Sequence, residues 1–449
     1  MSQEYWSYQT LSQLQLENQF HRNSWSASMA NEQLKQFIDQ GFPNRSNELW
    51  KYTSLQEIKT QKFEFHSDEP FEVDFIKDQI ALSQIKDSIR FVFFDGKLIL
   101  EASDYSNLPK EVIVMDLIDA WRTQPLECQN FLENFHHKDA ALDSSKEENL
   151  TFSLLNIALL SGGLYLSIPA NLKIASPIHL LHFNSGKSNQ KFQNLRHLIK
   201  IGESSQVKII EEYASSKNVS YFTNVVTQIA ISKKVNYQHF KLQRESSNAF
   251  HIEKTAINQQ EYSESYFFYL GGGAKLSRDD LRANLSGEYA KIQLNGIYLP
   301  QQKQHIANYS FINHEEKHTQ SDLNYRGILS DEGHGVFNGK VKVLPKAIKT
   351  EASQSNHNLL LSEKAIIDTK PELEIYTDDI KCSHGATIGQ LDPNALFYLQ
   401  SRGIKKEMAK NILVLGFAES FSETIIDPHI RNYFNTYLLN KIENTAIFA

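Results

Sequence analysis

Cysteine is scarce in this chain of 449 residues, which contains only Cys128 and Cys382. Two thiols cannot form a framework of several disulfides. They also cannot supply the roughly four thiolate ligands of an iron–sulfur cluster that is held by one chain alone. Because low cysteine use is typical of a reducing compartment, we expect a cytoplasmic protein.

Long apolar runs and blocks of basic residues are also missing. The longest apolar stretches, such as 412–417, fall far short of the roughly 20 residues that span a membrane. The N-terminus carries no secretory-signal pattern. The formal net charge of −7, without a Lys/Arg block, argues against nucleic acid as a partner. The sequence therefore predicts a globular protein with neither a membrane nor a nucleic-acid partner.

The first part of the chain has helical spacing. Leu34, Phe37 and Ile38 fall at i, i+3 and i+4, so we predict a mainly helical segment over about 1–60. The stretch 122–148 is polar and charged, which predicts a linker or a loosely packed connection.

From about 150 to 390, the hydrophobic pattern changes to period 2. Val207 and Ile209 alternate with Lys208, as expected of a short half-buried strand. So many short strands without helices between them predict either a large sandwich or a β-solenoid. A Leu-Ser pair before a polar turn recurs at uneven spacing, and this weak repeat favours the solenoid. The pairs are Leu285-Ser286, Leu329-Ser330 and Leu361-Ser362.

The chain then returns to helix. Asp392 followed by Pro393 predicts a helix start, and Gly403 stands where a helix ends. Asp427 followed by Pro428 predicts the start of a last helix. The predicted domains are an N-terminal helical region with its linker at 1–150, a β core at 151–391 and a C-terminal helical domain at 392–449.

Two motifs suggest chemistry that their surroundings do not support. His314 to His318 matches H-E-x-x-H, but its flanks are strand-like, and on a strand the two histidines would be about 13 Å apart. Gly271-Gly272-Gly273-Ala274-Lys275 lacks the register of a phosphate-binding loop. We interpret both segments as strand ends and turns.

Cys382-Ser383-His384 is the most informative local feature. On a strand, positions i and i+2 share a face, so the thiol and the imidazole would point the same way. Such a pair suits soft metals and iron–sulfur species, yet two ligands make only half a site. The remaining ligands would have to come from another chain. The alternative is a packed cysteine beside a hydrogen-bonded histidine.

The segment containing this motif, 371–389, resembles the signature of the SufB/SufD family. The similarity continues through 396–404 and upstream through 337–341 and 358–362. The stretch 41–53 resembles the entry motif of SufD-type members, so the chain resembles SufD more than SufB. The resemblance implies a mainly β protein, in which a right-handed parallel β-helix (β-solenoid) core lies between helical N-terminal and C-terminal parts.

Members of this family are non-catalytic scaffold subunits of the SUF iron–sulfur cluster assembly machinery. The resemblance implies that this chain pairs with SufB, binds the ATPase SufC, and helps nascent cluster formation at the SufB–SufD interface and iron acquisition. It implies no tightly bound cofactor for the isolated chain, since the nascent iron–sulfur cluster would be shared with SufB. A flavin at the level of the complex and a homodimer of the isolated chain stay open.

The resemblance also assigns residues. His384 is expected to be a metal ligand at the shared interface, and Cys382 lies at a second family position there. The SufC-binding surface is expected in the C-terminal helical region, at Phe397, Tyr398, Arg402 and Gly403. No catalytic residue is expected. The rival functions are a β-helix enzyme acting on polysaccharide, which is usually secreted, and a non-catalytic solenoid adaptor.

Overall fold

The computed structural model describes residues 6–17, 24–65, 72–81, 83, 85–142, 150–187 and 190–443. A short 3-10 helix spans Glu48–Trp50. The α-helices are α1 (Tyr8–Glu17), α2 (Ser24–Gln40), α3 (Gln56–Thr60), α4 (Val73–Gln79), α5 (Leu117–Thr123), α6 (Pro125–Leu142), α7 (Thr151–Ala158), α8 (Pro393–Ser401), α9 (Lys406–Ser422) and α10 (Pro428–Glu443). None of the helices in these ranges is long and apolar enough to cross a membrane.

The described residues form nineteen strands, of which the first three precede α5, α6 and α7. The nineteen strands are β1 (Ile89–Phe94), β2 (Lys97–Asp104), β3 (Ile113–Asp116), β4 (Gly162–Ile168), β5 (Ile178–Asn184), β6 (Lys191–Ile201), β7 (Gln206–Ser215), β8 (Tyr221–Ile231), β9 (Asn236–Arg244), β10 (Phe250–Gln259), β11 (Glu264–Gly271), β12 (Leu276–Leu285), β13 (Lys291–Tyr298), β14 (His305–His314), β15 (Gln320–Leu329), β16 (His334–Val343), β17 (Thr350–Leu360), β18 (Ile366–Ile375) and β19 (Ile380–Gly389).

The strands form a β-solenoid of about eight turns, which confirms the predicted core. From β4 onward, consecutive strands alternate between two sheets. The odd sheet has the order β19-β17-β15-β13-β11-β9-β7-β5-β1-β2, and the even sheet has the order β18-β16-β14-β12-β10-β8-β6-β4-β3. Each coil takes about 30 residues, as is typical of stacked repeats. The handedness of the coil stays a prediction.

One turn position recurs in successive coils, where the chain passes from the even to the odd sheet. A residue with positive φ stands there, and its N–H donates to a carbonyl of the next coil. These residues are Ser204, Lys234, Tyr262, Tyr289, His318 and Lys349. The recurrence explains His318 of the H-E-x-x-H segment. It lies in a turn and stacks on Tyr289 with ring centroids 4.6 Å apart.

The interior of the solenoid is mainly apolar. Inward positions of both sheets form one continuous cluster, because parallel strands in register place equivalent residues above one another. One such row in the odd sheet runs through Ile209, His239, Phe267, Leu294, Leu323 and Gln354. This row leads towards the candidate site.

The N-terminal helices cover the outer face of the even sheet. Phe192, Phe222 and Phe250 lie at one register position and pack against Trp50 and Phe152 of the N-terminal part. Gly41, with φ +63°, ends α2 as predicted. The N-terminal part is not only helical, however, because β1, β2 and β3 lie before residue 150 and extend the two sheets.

The predicted linker at 122–148 is wrong for the residues that the structure describes. Most of this stretch forms α6, in which Cys128, Phe131, Leu132 and Phe135 are buried. Their spacing places them on one helical face. Residues 143–149 lie outside the described ranges.

The C-terminal helices α9 and α10 lie on the outer face of the odd sheet. Their buried side chains form one cluster with Phe240, Phe268 and Ile297 of the solenoid. Both predicted helix starts are confirmed, since Asp392 accepts a hydrogen bond from Asn394 N at 2.9 Å and Asp427 caps α10. The solenoid is therefore covered on both outer faces.

Candidate functional site

The two ends of the solenoid differ. At the start, the antiparallel strands β2 and β3 end the two sheets. At the other end, β18 pairs only with β16, and β19 pairs only with β17, among the described residues. The coil formed by β18 and β19, here called the terminal coil, therefore leaves a free backbone edge in each sheet.

Cys382 and His384 lie on β19 in this terminal coil. His384 pairs with Gln354 and Cys382 with Ala352, and both partners continue inward-facing rows of the odd sheet. The thiol and the imidazole therefore share the inward face of the strand. No further coil covers them, so His384 is exposed and Cys382 is partly buried.

The terminal coil also carries exposed apolar side chains. Ile375 and Ile388 stand at inward positions that would be covered if another coil followed, and Ile388 is 53% exposed. Ile366 and Tyr376 are also exposed at the two ends of β18. Such a cluster of exposed apolar residues is typical of an interaction surface.

The chemistry of the two candidate ligands differs. Burial raises the pKa of the Cys382 thiol, so the thiol form is favoured over the thiolate that binds metals. The exposed imidazole of His384 makes no hydrogen bond to any residue in the described part of the chain. No group of three potential metal ligands forms on the terminal coil within those ranges. The structure thus brings two candidate ligands together and leaves the site half complete.

A groove of about 820 Å³ leads across the odd sheet to the Cys382 strand. Its lining includes Tyr237 at one end and Lys381, Cys382 and Ser383 at the other. Lys381 forms a 2.8 Å ion pair with Glu351 beside the thiol. The groove gives solvent a path to Cys382 from outside the coil.

The second candidate surface lies on the C-terminal helices. No residue of α8 is buried, and Phe397 and Tyr398 are 72% and 56% exposed. The guanidinium of Arg402 lies 5.3 Å from the centre of the Tyr398 ring. Gly403, with φ +86°, ends the helix as predicted, because Ile404 N donates to Leu399 O and Gly403 N to Gln400 O.

Sequence analysis missed part of this surface. Met408 and Ile412, which the helical spacing of α9 assigns to a packed face, are 62% and 41% exposed. They lie one turn apart on the helix that follows α8, so this helix also carries exposed apolar side chains. Their i, i+4 spacing gives no signal that separates a core face from a binding face.

A buried ionic group anchors α10 to the solenoid. Glu212 of β7 accepts hydrogen bonds from Arg244 Nε at 2.6 Å, from His179 at 2.9 Å and from the Tyr433 hydroxyl at 2.8 Å. Burial favours the neutral acid, but Arg244 and His179 outweigh it and lower the pKa of Glu212 to about 2. Lys208 adds an ion pair to Asp427 at 2.5 Å. The C-terminal helices are thus held on the solenoid by charge as well as by packing.

The remaining motifs are structural. His314 is buried at the end of β14, where its two ring nitrogens lie 2.8 Å from Thr319 Oγ1 and 2.9 Å from Ser321 Oγ. Gly271 ends β11, and the glycines after it form a turn between strands. Cys128 is buried inside α6, where desolvation raises the pKa of its thiol to about 12. These positions match the structural interpretations made from the sequence.

Comparison with protein-family models gives two matches. The model described as "SUF system FeS cluster assembly, SufBD core domain" matches residues 183–417. The model described as "SufBD protein N-terminal region" matches residues 7–180. Together they account for most of the chain, including the solenoid and the segment with Cys382 and His384.

Curated relatives agree with these matches. The chain is 30% identical to the iron–sulfur cluster assembly protein SufD of Escherichia coli over 408 residues, which cover 90% of each chain. It is 32% identical to a SufBD family protein of Synechocystis over 391 residues, covering 85% of this chain and 84% of the relative. The SufD protein of Bacillus subtilis is 26% identical over 69% of each chain. These relatives favour cluster assembly over the polysaccharide-acting alternative.

Proposed function

Because this chain belongs to the SufB/SufD family of iron–sulfur cluster assembly proteins and most resembles SufD, we propose that it is a non-catalytic scaffold subunit of the SUF complex. In this proposal, the chain pairs with a SufB-type partner through the terminal coil and binds a SufC-type ATPase through α8 and the start of α9. The nascent iron–sulfur cluster is the cargo, formed where the terminal coil meets the partner.

The single observation that carries the proposal is the open terminal coil. A solenoid needs a cap at each end to stay soluble, and β18 and β19 have none among the described residues. Strand edges and exposed apolar side chains such as Ile388 fit the addition of strands from a partner. In the absence of that partner, a second copy of the chain could bind the same surface.

His384 is the residue that this arrangement makes most suitable as a cluster ligand. Its imidazole is exposed beside the free edge, and a neutral imidazole is a good ligand for iron. A cysteine of the partner would supply the thiolates that this chain lacks. Cys382 is a weaker candidate, because a thiol must lose its proton before it binds a metal. Burial raises the pKa of the Cys382 thiol and so opposes that loss.

The C-terminal helices fit a role in transmitting motion. α9 and α10 are fixed to the odd sheet by their apolar cluster and by the Glu212 group. A displacement of an ATPase bound at α8 would therefore move the solenoid as a rigid body. The chain itself needs no nucleotide site in this scheme, because ATP would be hydrolysed by the partner.

The direct test is anaerobic co-expression with SufB-type and SufC-type partners and purification through a tag on this chain. We expect all three proteins to be recovered together, with the visible absorbance of an iron–sulfur cluster. Recovery of this chain alone, colourless and without ATPase activity, would contradict the proposal.

The exposed aromatics of α8 give a separate prediction. Because Phe397 and Tyr398 are exposed, Phe397→Asp and Tyr398→Asp should fold normally. Each should weaken SufC binding about tenfold or more, since aromatic side chains dominate many interfaces. The measurement is a calorimetric titration of the purified chain with SufC.

Leu126→Asp is the matched control for this titration. Leu126 is also a highly exposed apolar residue, but it lies on α6, away from the C-terminal helices. Its SufC affinity should equal that of the unmodified chain. Unchanged affinity in both aromatic variants would exclude α8 as the binding surface.

A further inference from the structure

Three potential metal ligands meet inside the first coils of the solenoid. His182 lies on β5, His197 on β6 and Glu211 on β7, so both sheets contribute. All three residues are at least nine-tenths buried. One nitrogen of each imidazole and one oxygen of the carboxylate lie within 4.8 Å of one another.

The two histidines have no hydrogen-bond partners for their ring nitrogens. All four ring nitrogens of His182 and His197 are buried without a partner in the described part of the chain. A buried polar nitrogen without a partner destabilises the folded chain, because it has lost its hydrogen bonds to water. His239 and His314, by contrast, use both of their ring nitrogens. The ring nitrogens of His182 and His197 are therefore available to bind an ion.

The carboxylate of Glu211 is held in a fixed orientation. The Tyr213 hydroxyl donates a hydrogen bond to Oε1 at 2.5 Å, and His239 Nε2 lies 3.0 Å from Oε2. Metal-binding carboxylates commonly have such outer partners, which orient the oxygen that faces the ion.

Stacking fixes the ring of His182 in the same way. It lies between Phe93 and Tyr213, with centroid distances of 4.5 and 4.6 Å and interplanar angles of 16° in both cases. The plane of the ring is thereby set, and its nitrogens point along the interior rather than into either aromatic face. The orientation of the His182 ring is thus set before any ion binds.

We propose that His182, His197 and Glu211 bind one divalent first-row transition metal ion of the Fe(II), Co(II) or Zn(II) type. Two imidazoles and one carboxylate form a ligand set that suits these ions. Ligand atoms around such an ion are about 3–3.4 Å apart, and the three side-chain atoms already lie within 4.8 Å of one another. A pair at that limit would have to close by about 1.4–1.8 Å to bind one ion. Full burial of the ligands makes the ion a structural one.

The bound ion would join β5, β6 and β7, and thus link the two sheets of the first complete coils. It would stabilise the folded chain, because the unfolded chain has no preformed site. In the odd sheet, Glu211 of β7 lies six strands and His182 of β5 seven strands away from His384 of β19, which corresponds to about 29–34 Å. The metal site is therefore independent of the proposed cluster site and of the proposed function.

The test uses the full chain and cobalt(II) as the probe. Because the ligands are buried, the ion must be supplied during folding, so the cells are grown with added cobalt(II), and parallel cultures receive zinc(II) or iron(II). Elemental analysis should give about one ion per purified chain, and cobalt(II) should show the visible spectrum of a site with nitrogen and oxygen ligands.

Two variants and one control identify the ligands. His182→Phe keeps the aromatic stack but removes a ligand, and Glu211→Gln keeps the shape but removes the charge. Each should lower the bound metal on the order of tenfold or more, with an unchanged far-UV circular dichroism spectrum. If His182→Phe fails to fold, the metal content of Glu211→Gln alone tests the proposed ligand set. His314→Gln changes another buried histidine and should keep the metal.

Two outcomes would overturn the proposal. One is an unmodified chain that contains no stoichiometric metal after growth with any of the three ions. The other is metal that stays bound at the same level in both ligand variants.

Discussion

His384→Ala should leave the complex with the SufB-type and SufC-type partners intact but lower its cluster content on the order of tenfold or more. The side chain is exposed and makes no hydrogen bond to the described residues, so its removal should not weaken the fold. What is lost is one ligand at the surface where the terminal coil meets the partner. The measurement is iron and acid-labile sulfide per complex after anaerobic purification through a tag on this chain.

His357→Ala is the matched control for this variant. His357 lies on the neighbouring strand β17, where its ring is 2.9 Å from Thr387 Oγ1, on the opposite face from His384. The complex that contains His357→Ala should keep its normal cluster content. Cys382→Ser should lower the cluster content less than His384→Ala does, because burial keeps that thiol protonated. A normal cluster content in His384→Ala would exclude the ligand role.

Glu212→Ala should cost about 3–5 kcal/mol of the free energy that holds α10 on the solenoid, since removing one partner of a buried ionic group leaves the others uncompensated. Arg244, His179 and the Tyr433 hydroxyl would all lose their shared acceptor. The measurement is urea unfolding, together with hydrogen exchange of the α10 amides, which should become much faster.

The same group gives a pH dependence. The pKa of Glu212 is lowered from an ordinary 4.5 to about 2 in the folded chain. Its contribution to stability is therefore complete above about pH 4.5 and is lost as the pH falls towards 2. Glu212→Ala should remove this part of the acid-induced loss of stability.

Glu127→Ala is the control for both measurements. Glu127 also forms a 2.8 Å ion pair, with Lys200, but both side chains are well exposed. A surface ion pair contributes about 0–1 kcal/mol to stability. The unfolding free energy and the exchange of the α10 amides should therefore change little in this variant. Equal unfolding midpoints for the two variants would contradict the anchoring role of Glu212.

The strands of the core could be predicted from the sequence because period-2 alternation is a local property. The choice of a solenoid over a sandwich, by contrast, rested on the weak Leu-Ser repeat and on the family resemblance. The repeat of the solenoid was harder to recognise, since the recurring turn position is occupied by unlike residues, among them Ser204, Tyr262 and Lys349. The Leu-Ser pairs lie at strand ends, but they stand at two different kinds of turn. Leu285 ends a strand of the even sheet, whereas Leu329 ends a strand of the odd sheet. A repeat that mixes two turns has uneven spacing.

Two other features could not be predicted because they depend on the stacking of coils. Ile388 and His384 lie on β19, whose sequence does not differ in kind from that of the other strands. They are exposed only because no coil follows β19 in the described residues. The buried group that contains His182 and Glu211 could not be recognised in the sequence either, because its members are far apart along the chain. Its members are brought together by coil register, and polar residues at inward positions interrupt the expected alternation. The helix α6 was missed because polar and charged residues dominate the composition of 122–148.

The most direct measurement of the central claim is hydrogen exchange of this chain with and without the SufB-type partner. In the free chain, amides on the unpaired edges of β18 and β19 should exchange rapidly. Binding should protect them, chiefly over 366–389, and leave α8 unchanged until SufC is added. Protection elsewhere on the chain, with unaltered exchange in the terminal coil, would contradict the account.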